Sequence, residues 1–345
     1  MNIDVHGHYT TAPSALMEWR RAQIAAFEAD GTHLDPESMQ ISDDEIRASI
    51  ENGQIPIQDE RETDLTLFSP TAGGMAHHYG DARTSLEWTR TVNDLIKRVC
   101  DLYPSRFVGV AQLPQSPGTD PADSIPELRR CVEELDFVGV NINHDPSDGY
   151  WTGVAMSDRS YYPLYEAMTA LDVPAMAHVS MTCNPIYHIT SSHYLNGDTT
   201  AFMQLAMSSV FRDFPQLRVV IPHGGGAIPY HWGRIQGILL DQKLPWLEEI
   251  VLQNVYFDTC VYWKLGMELL VETLPAENIL YASEMIGAVR GRNPRDGRYF
   301  DDTKYILDQI TTISLEDRKK IYGDNALRVY PRLKPILERR GISTD

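Results

Sequence analysis

Eight short apolar runs, each closed by a polar residue, limit what this chain can fold into more than any other feature. They fall at residues 3–5, 65–68, 107–111, 137–142, 174–177, 219–221, 255–257 and 279–282. Such nearly continuous apolar runs suit strands buried on both faces, as in a parallel sheet. Between them lie helical patterns: Trp88, Val92, Leu95, Ile96 and Val99 share one helical face, as do Phe202, Leu205, Ala206 and Val210, and later Leu265, Leu269 and Leu270. Ser314 with Asp317 reads as a helix start. Strands alternating with helices imply βαβ units. Eight of them predict an α/β fold, a closed (β/α)8 TIM barrel, with residues 1–345 as one domain.

Two stretches exceed the minimal repeat. Residues 9–60 form a long insertion after the first strand, with a helix expected around 16–27 and an acidic segment at 42–45. Residues 285–303 form a loop rich in Gly and Arg. Long βα loops often serve as lids or specificity elements. Residues 331–340 read as a closing helix.

A barrel gathers its chemistry at the C-terminal ends of its strands. The residues closing the runs include His6 and His8, Asn143, His178, His223, Asp258 and Glu284. His6 and His8 are two apart on a strand, so both imidazoles can face the interior while Val5 points outward. Gly7 between them lets the backbone bend at the mouth. His178 and His223 end the fifth and sixth runs and Glu284 ends the eighth, so these side chains converge on one end of the barrel. Such a set suits a divalent ion of the zinc type held by His6, His8 and His178, with Glu284 in reach. Asp258 could hold a histidine tautomer from behind. Gly224–Gly226, after His223, is read as a tight βα turn needing small residues.

Composition narrows the partners. A net charge of −18 opposes nucleic acid and anionic lipid, which need a basic footprint. It leaves room for a small anionic substrate met by local arginines. Cys100, Cys131, Cys183 and Cys260 are widely spaced, without a Cys-x-x-Cys pair, which disfavours a disulfide scaffold or a zinc ribbon. The first residues lack a basic and apolar leader, and no run is long enough to span a bilayer, so a cytoplasmic protein is expected.

The His6-x-His8 start, His178, the His223-Gly-Gly run and the Ile-Tyr-Gly-Asp-Asn-Ala segment at 321–326 together resemble the amidohydrolase superfamily. The resemblance covers essentially the whole chain. It is narrower to a branch of carbon–carbon and carbon–oxygen lyases acting on carboxylated intermediates of aromatic degradation. Many of that branch are metal-dependent decarboxylases that end the eighth strand with Ser-Asp-x-Pro. Here the strand ends Ser283-Glu284-Met285-Ile286. The longer carboxylate and the Arg-rich loop resemble a hydratase that adds water to the double bond of a small polycarboxylate, with a decarboxylase as the alternative.

That resemblance implies one divalent ion, zinc foremost. Glu284 would serve as base, as fourth ligand or as both, and His223 as the acid. Arg290 and Arg292 would bind carboxylates, because planar guanidinium forks match them. His77, Asn143 and Tyr194 are expected as polar wall residues. A homo-oligomer, a dimer, is also implied.

Overall fold

The computed structural model describes residues 1–344. Its strands are β1 (Ile3–His8), β2 (Leu65–Ser69), β3 (Phe107–Gln112), β4 (Gly139–Ile142), β5 (Ala175–Ala177), β6 (Val219–Ile221), β7 (Val255–Asp258) and β8 (Ile279–Leu280). They pair in chain order and every pair is parallel. The last strand returns to the first through two backbone bonds. Val5 N–H donates to Tyr281 O at 3.0 Å and Glu284 N–H donates to His6 O at 2.9 Å. The fold is the (β/α)8 barrel expected from the eight runs. β8 is shorter than its run because Ala282 N–H turns to Thr259 Oγ1 at 2.8 Å.

β1 departs from simple alternation. Asp4 pairs with Thr66 and Gly7 with Phe68, so Val5 and His6 together face Leu67 in a bulge. Val5 therefore does not point away from the ring as alternation predicts. It packs in one cluster with Ile3, Leu65, Leu67, Val110, Met176, Val220 and Leu280. The extra residue lets His6 reach the mouth beside His8. Gly7 is fixed by space: a Cβ there would lie 2.2 Å from Thr66 Cγ2.

The cluster inside the ring continues into Leu333, Ile336 and Leu337 of the closing helix (Leu333–Arg339). A second cluster lies between the strands and the surrounding helices, joining Phe68, Phe107, Ile142, Ile221 and Phe257 to the outer layer. The insertion folds as α1 (Ser14–Asp30), α2 (Asp43–Asn52) and α3 (Gln54–Glu60). The acidic segment proves to be a helix start: Ser42 Oγ accepts from Glu45 N–H while Glu45 Oε2 accepts from Ser42 N–H at 2.8 Å. α4 (Ala82–Leu102) buries the expected face, Trp88 through Val99. Ser314 caps its helix by accepting from Asp317 N–H. The helix Lys264–Thr273 differs from expectation. It buries Met267 and Leu270, while Leu265 is 56% exposed, because the helix rests on the barrel by the stripe that these two residues share. No helix among the described residues is long and apolar enough to cross a membrane.

The outer layer holds one buried polar clamp. Glu127, on α5 (Ile125–Glu133), accepts from Asn93 Nδ2 at 2.9 Å and from Arg130 Nε and Nη2, both at 2.8 Å. Asn93 also donates to Gln112 O and accepts from Gln112 N–H, each at 3.0 Å, which pins the mouth end of β3 to α4. Burial works against the Glu127 charge, yet the Arg130 and Asn93 bonds outweigh it and hold the carboxyl below its ordinary range. The clamp therefore stabilises the fold above the unfolded-chain value near 4.5 and loses that stabilisation as pH falls through the lower folded value. Glu127→Gln is expected to cost about 2 kcal/mol at neutral pH. Urea denaturation across the acid range should show the gap to the parent closing as both proteins are acidified.

Candidate active site

Three imidazoles meet at the mouth of the barrel. Their ring centroids lie 4.8 Å (His6–His8), 5.0 Å (His6–His178) and 5.1 Å (His8–His178) apart. Each is held from behind through Nδ1. His6 Nδ1–H donates to Asp258 Oδ2 at 2.7 Å, His8 Nδ1–H to Ser69 Oγ at 2.7 Å and His178 Nδ1–H to Val179 O at 2.7 Å. Ser69 can accept because its own proton goes to Gly7 O, at 3.1 Å. With Nδ1 occupied, every Nε2 carries a lone pair into the site.

These lone pairs have no proton to share. His6 Nε2 and His8 Nε2 are 3.0 Å apart, and His178 Nε2 is buried without a partner. Burial pushes His8 down to about 3 and His178 well below its usual value, so both stay neutral. A donor atom from each of His6, His8, His178 and Glu284 lies within 4.8 Å of all the others. Neutral imidazoles facing one another with a carboxylate beside them fit a divalent cation.

Glu284 and His223 both sit in the left-handed backbone region, at φ +50° and +52°. Non-glycine residues persist there only when their surroundings impose it, and such residues cluster at functional sites. At Glu284 it is imposed by the hydrogen bond that its backbone N–H donates to His6 O. His223 precedes three glycines at φ +64°, +81° and +59°. A Cβ on Gly224 would lie 2.2 Å from Val261 Cγ2, and the Gly224 amide is spent on Asp258 Oδ1 at 2.9 Å. The glycine run is thus a tight turn that aims His223 at the site. His223 Nδ1–H donates to Asp198 Oδ2 at 3.0 Å, and His223 Nε2 lies 3.8 Å from Glu284 Oε2. Burial opposes a charge on His223, but Asp198 and Glu284 more than offset it and raise its pKa well above the usual value. Burial likewise opposes the Glu284 charge, and His223 overrides it, drawing the carboxyl down to about 2.

A cavity of about 280 Å³ opens onto this cluster. His8, Tyr9, Tyr194, Glu284 and Arg290 line it, and Leu16, Met17, Trp88 and Val92 form its far wall. The Tyr194 ring lies 5.3 Å from His178 and 5.4 Å from His223.

The other expected wall residues lie elsewhere. Arg292 pairs with Glu60 at 2.9 Å and covers the Tyr299 ring at 3.9 Å, so its charge is used to tie the 285–303 loop to α3. His77 is buried behind the cavity wall, with Nδ1 on Ser85 Oγ at 2.8 Å. Asn143 is buried too. Its N–H donates to Gln115 Oε1 at 2.8 Å and its Oδ1 accepts from Asp145 N–H at 3.1 Å, so it shapes a loop rather than the cavity. Sequence reading assigned no role to Ser69 or Asp198. Ser69 closes a strand and is open to notice there, whereas Asp198 sits on α6 (Ser192–Ala206), where no pattern marks it.

If these donors hold an ion, a chelator should lower the thermal midpoint. Added Zn²⁺ should restore it, with a stabilisation of about 4 kcal/mol at an ion concentration roughly a thousandfold above Kd. His178→Ala should abolish both the retained ion, measured by elemental analysis, and the shift. A midpoint indifferent to chelator in the parent would contradict the ligand set.

Residues 3–332 match the amidohydrolase family model. The chain is 51% identical to a 2-keto-4-carboxy-3-hexenedioate hydratase of Sphingobium sp., over 99% of each chain. The crystal structure of a 4-oxalomesaconate hydratase from Rhodopseudomonas palustris is similar with a TM-score of 0.92, at 50% identity and over 99% of both chains. A gamma-resorcylate decarboxylase of Polaromonas sp. is more distant, 29% identical over 81% of this chain and 87% of its own. The match runs from β1 to the residue before the closing helix and takes in every residue of the histidine cluster: the chain belongs to the amidohydrolase family.

Proposed function

We propose that this chain is a metal-dependent hydratase that adds water across the carbon–carbon double bond of 4-oxalomesaconate, giving 4-carboxy-4-hydroxy-2-oxoadipate. The observation that carries this reading is the placement of Glu284 and His223, 3.8 Å apart, beside the three-imidazole cluster. Similarity over the full length to two hydratases supports it. The reaction serves breakdown of protocatechuate-type aromatic compounds.

His6, His8 and His178, with Glu284 in reach, would hold the ion, and zinc suits three imidazoles and a carboxylate. When bound, the ion supplies Lewis acidity toward water or a substrate oxygen. The chain's own residues supply the proton traffic. In the tautomer 2-keto-4-carboxy-3-hexenedioate, whose alkene is conjugated with the ketone, addition puts the water oxygen on the carbon β to the ketone and a proton on the α carbon, giving the same product. Glu284 accepts the proton that water loses. His223 donates from Nε2 to the α carbon, while Asp198 keeps Nδ1 protonated and the ring aimed. Glu284 then holds the proton that it took from water. Return of that proton across the pair resets the site.

Arg290 lines the cavity and meets a substrate carboxylate, and Tyr194 sets the wall beside His178 and His223. Residues 1–345 act as one unit, for the insertion lends Leu16 and Met17 to the cavity wall. The four cysteines are unpaired, in keeping with a reducing cytoplasm. A homodimer is the expected assembly.

Glu284→Gln should lower kcat by about 10²- to 10⁴-fold. Arg290→Met should raise KM by about 10- to 100-fold with a smaller effect on kcat. Both are read by proton NMR of the product. Release of carbon dioxide from the carboxyl-labelled substrate, without loss of the alkene by hydration, would sink the hydratase reading in favour of a decarboxylase.

A further inference from the structure

The steps above leave open what holds the Glu284 carboxylate in place. Tyr262 Oη lies 2.7 Å from Glu284 Oε2 and 3.3 Å from Ser283 O. A phenol has one proton, and the shorter contact to the stronger acceptor shows where it goes. Tyr262 is itself held firmly. Thr259 Oγ1 donates to Ala282 O and accepts from Ala282 N–H, both at 2.8 Å, which fastens the segment after β7 to the end of β8. Val261 N–H then donates to Thr259 O at 2.6 Å and Trp263 N–H to Val261 O at 2.8 Å, so the chain on either side of Tyr262 is bent into fixed tight turns.

The geometry points to Tyr262 as the positioning residue of the hydration, one that fixes the orientation of the Glu284 carboxylate through Oε2. Its hydroxyl holds Oε2, the oxygen that also lies 3.8 Å from His223 Nε2, and so fixes the carboxylate in its place beside the imidazoles. Glutamate is long, with several rotatable bonds, and its backbone already sits in a constrained region. Without Tyr262 the carboxylate is free to rotate out of the arrangement that sets Oε2 between Tyr262 and His223. Misplacing a reacting group by about an ångström costs on the order of 10²-fold in rate. This inference rests on the hydratase reading for its kinetic consequence, but the hydrogen bond itself is independent of it.

The test is Tyr262→Phe in the full, metal-loaded chain, a change that removes one oxygen atom. The expected result is a kcat lower by about 10- to 100-fold, with KM, metal content and thermal midpoint close to those of the parent. In the Glu284→Gln background the same change should have little further effect, because the group being positioned is gone. An infrared difference spectrum, parent minus Tyr262→Phe, should show one shifted carboxylate stretch that vanishes when both proteins carry Glu284→Gln. An unchanged kcat, a fall of equal size in the Glu284→Gln background, or no shifted carboxylate band would each overturn the assignment. A parent that does not hydrate 4-oxalomesaconate would defeat the functional reading alone, and the infrared comparison would still decide the role of Tyr262.

Discussion

The Glu284 amide donates to the His6 carbonyl at 2.9 Å, and much of the molecule is arranged around that bond. It closes the ring of strands by joining the last to the first. It also sets the carboxylate of the final strand beside the imidazoles of the first, so closure of the fold and assembly of the site are one event. Parallel strands paired in chain order leave β1 and β8 as the two edges that must meet. Leaving those edges unpaired would expose backbone groups that have no other partners in a buried mouth.

Around that seam the structure spends its polar groups on orientation. Asp258, Ser69 and the Val179 carbonyl each take an Nδ1 proton, and Asp258 accepts also from the amides of Gly224 and Cys260. Asp258 thereby couples His6 to the turn that carries His223. Burial keeps His8 and His178 neutral, whereas Asp198 and Glu284 keep His223 charged. Neighbouring histidines in one mouth are thus divided into lone-pair donors and a proton donor by what stands behind them.

The outer loops answer a different demand. Arg61 and Asp301 form a buried pair at 2.5 Å, Asp301 accepts from Ile286 N–H at 2.6 Å, and Arg292 reaches back to Glu60. The Gly/Arg-rich loop is in this way stapled to the insertion. Its arginines divide between holding the loop and lining the cavity, and only Arg290 is left to the cavity. The cavity's far wall is apolar because the insertion helix α1 and α4 meet there through Leu16, Met17, Trp88 and Val92.

Periodicity by itself determined the barrel, since eight apolar runs have few other ways to be buried on both faces, and the polar residues closing those runs already named His6, His8, His178, His223 and Glu284. A strand end is a fixed place in a barrel, so a residue found there has a known address. The rest needed the tertiary structure. Val5 turned inward because of a bulge that depends on pairing with Leu67. Asp198 and Tyr262 act across 25 and 22 residues of chain on side chains they meet only after folding. Arg292, His77 and Asn143 looked like Arg290 and Tyr194 in the sequence, for residue type says what a side chain can bind and only its neighbours decide whether it is already bound.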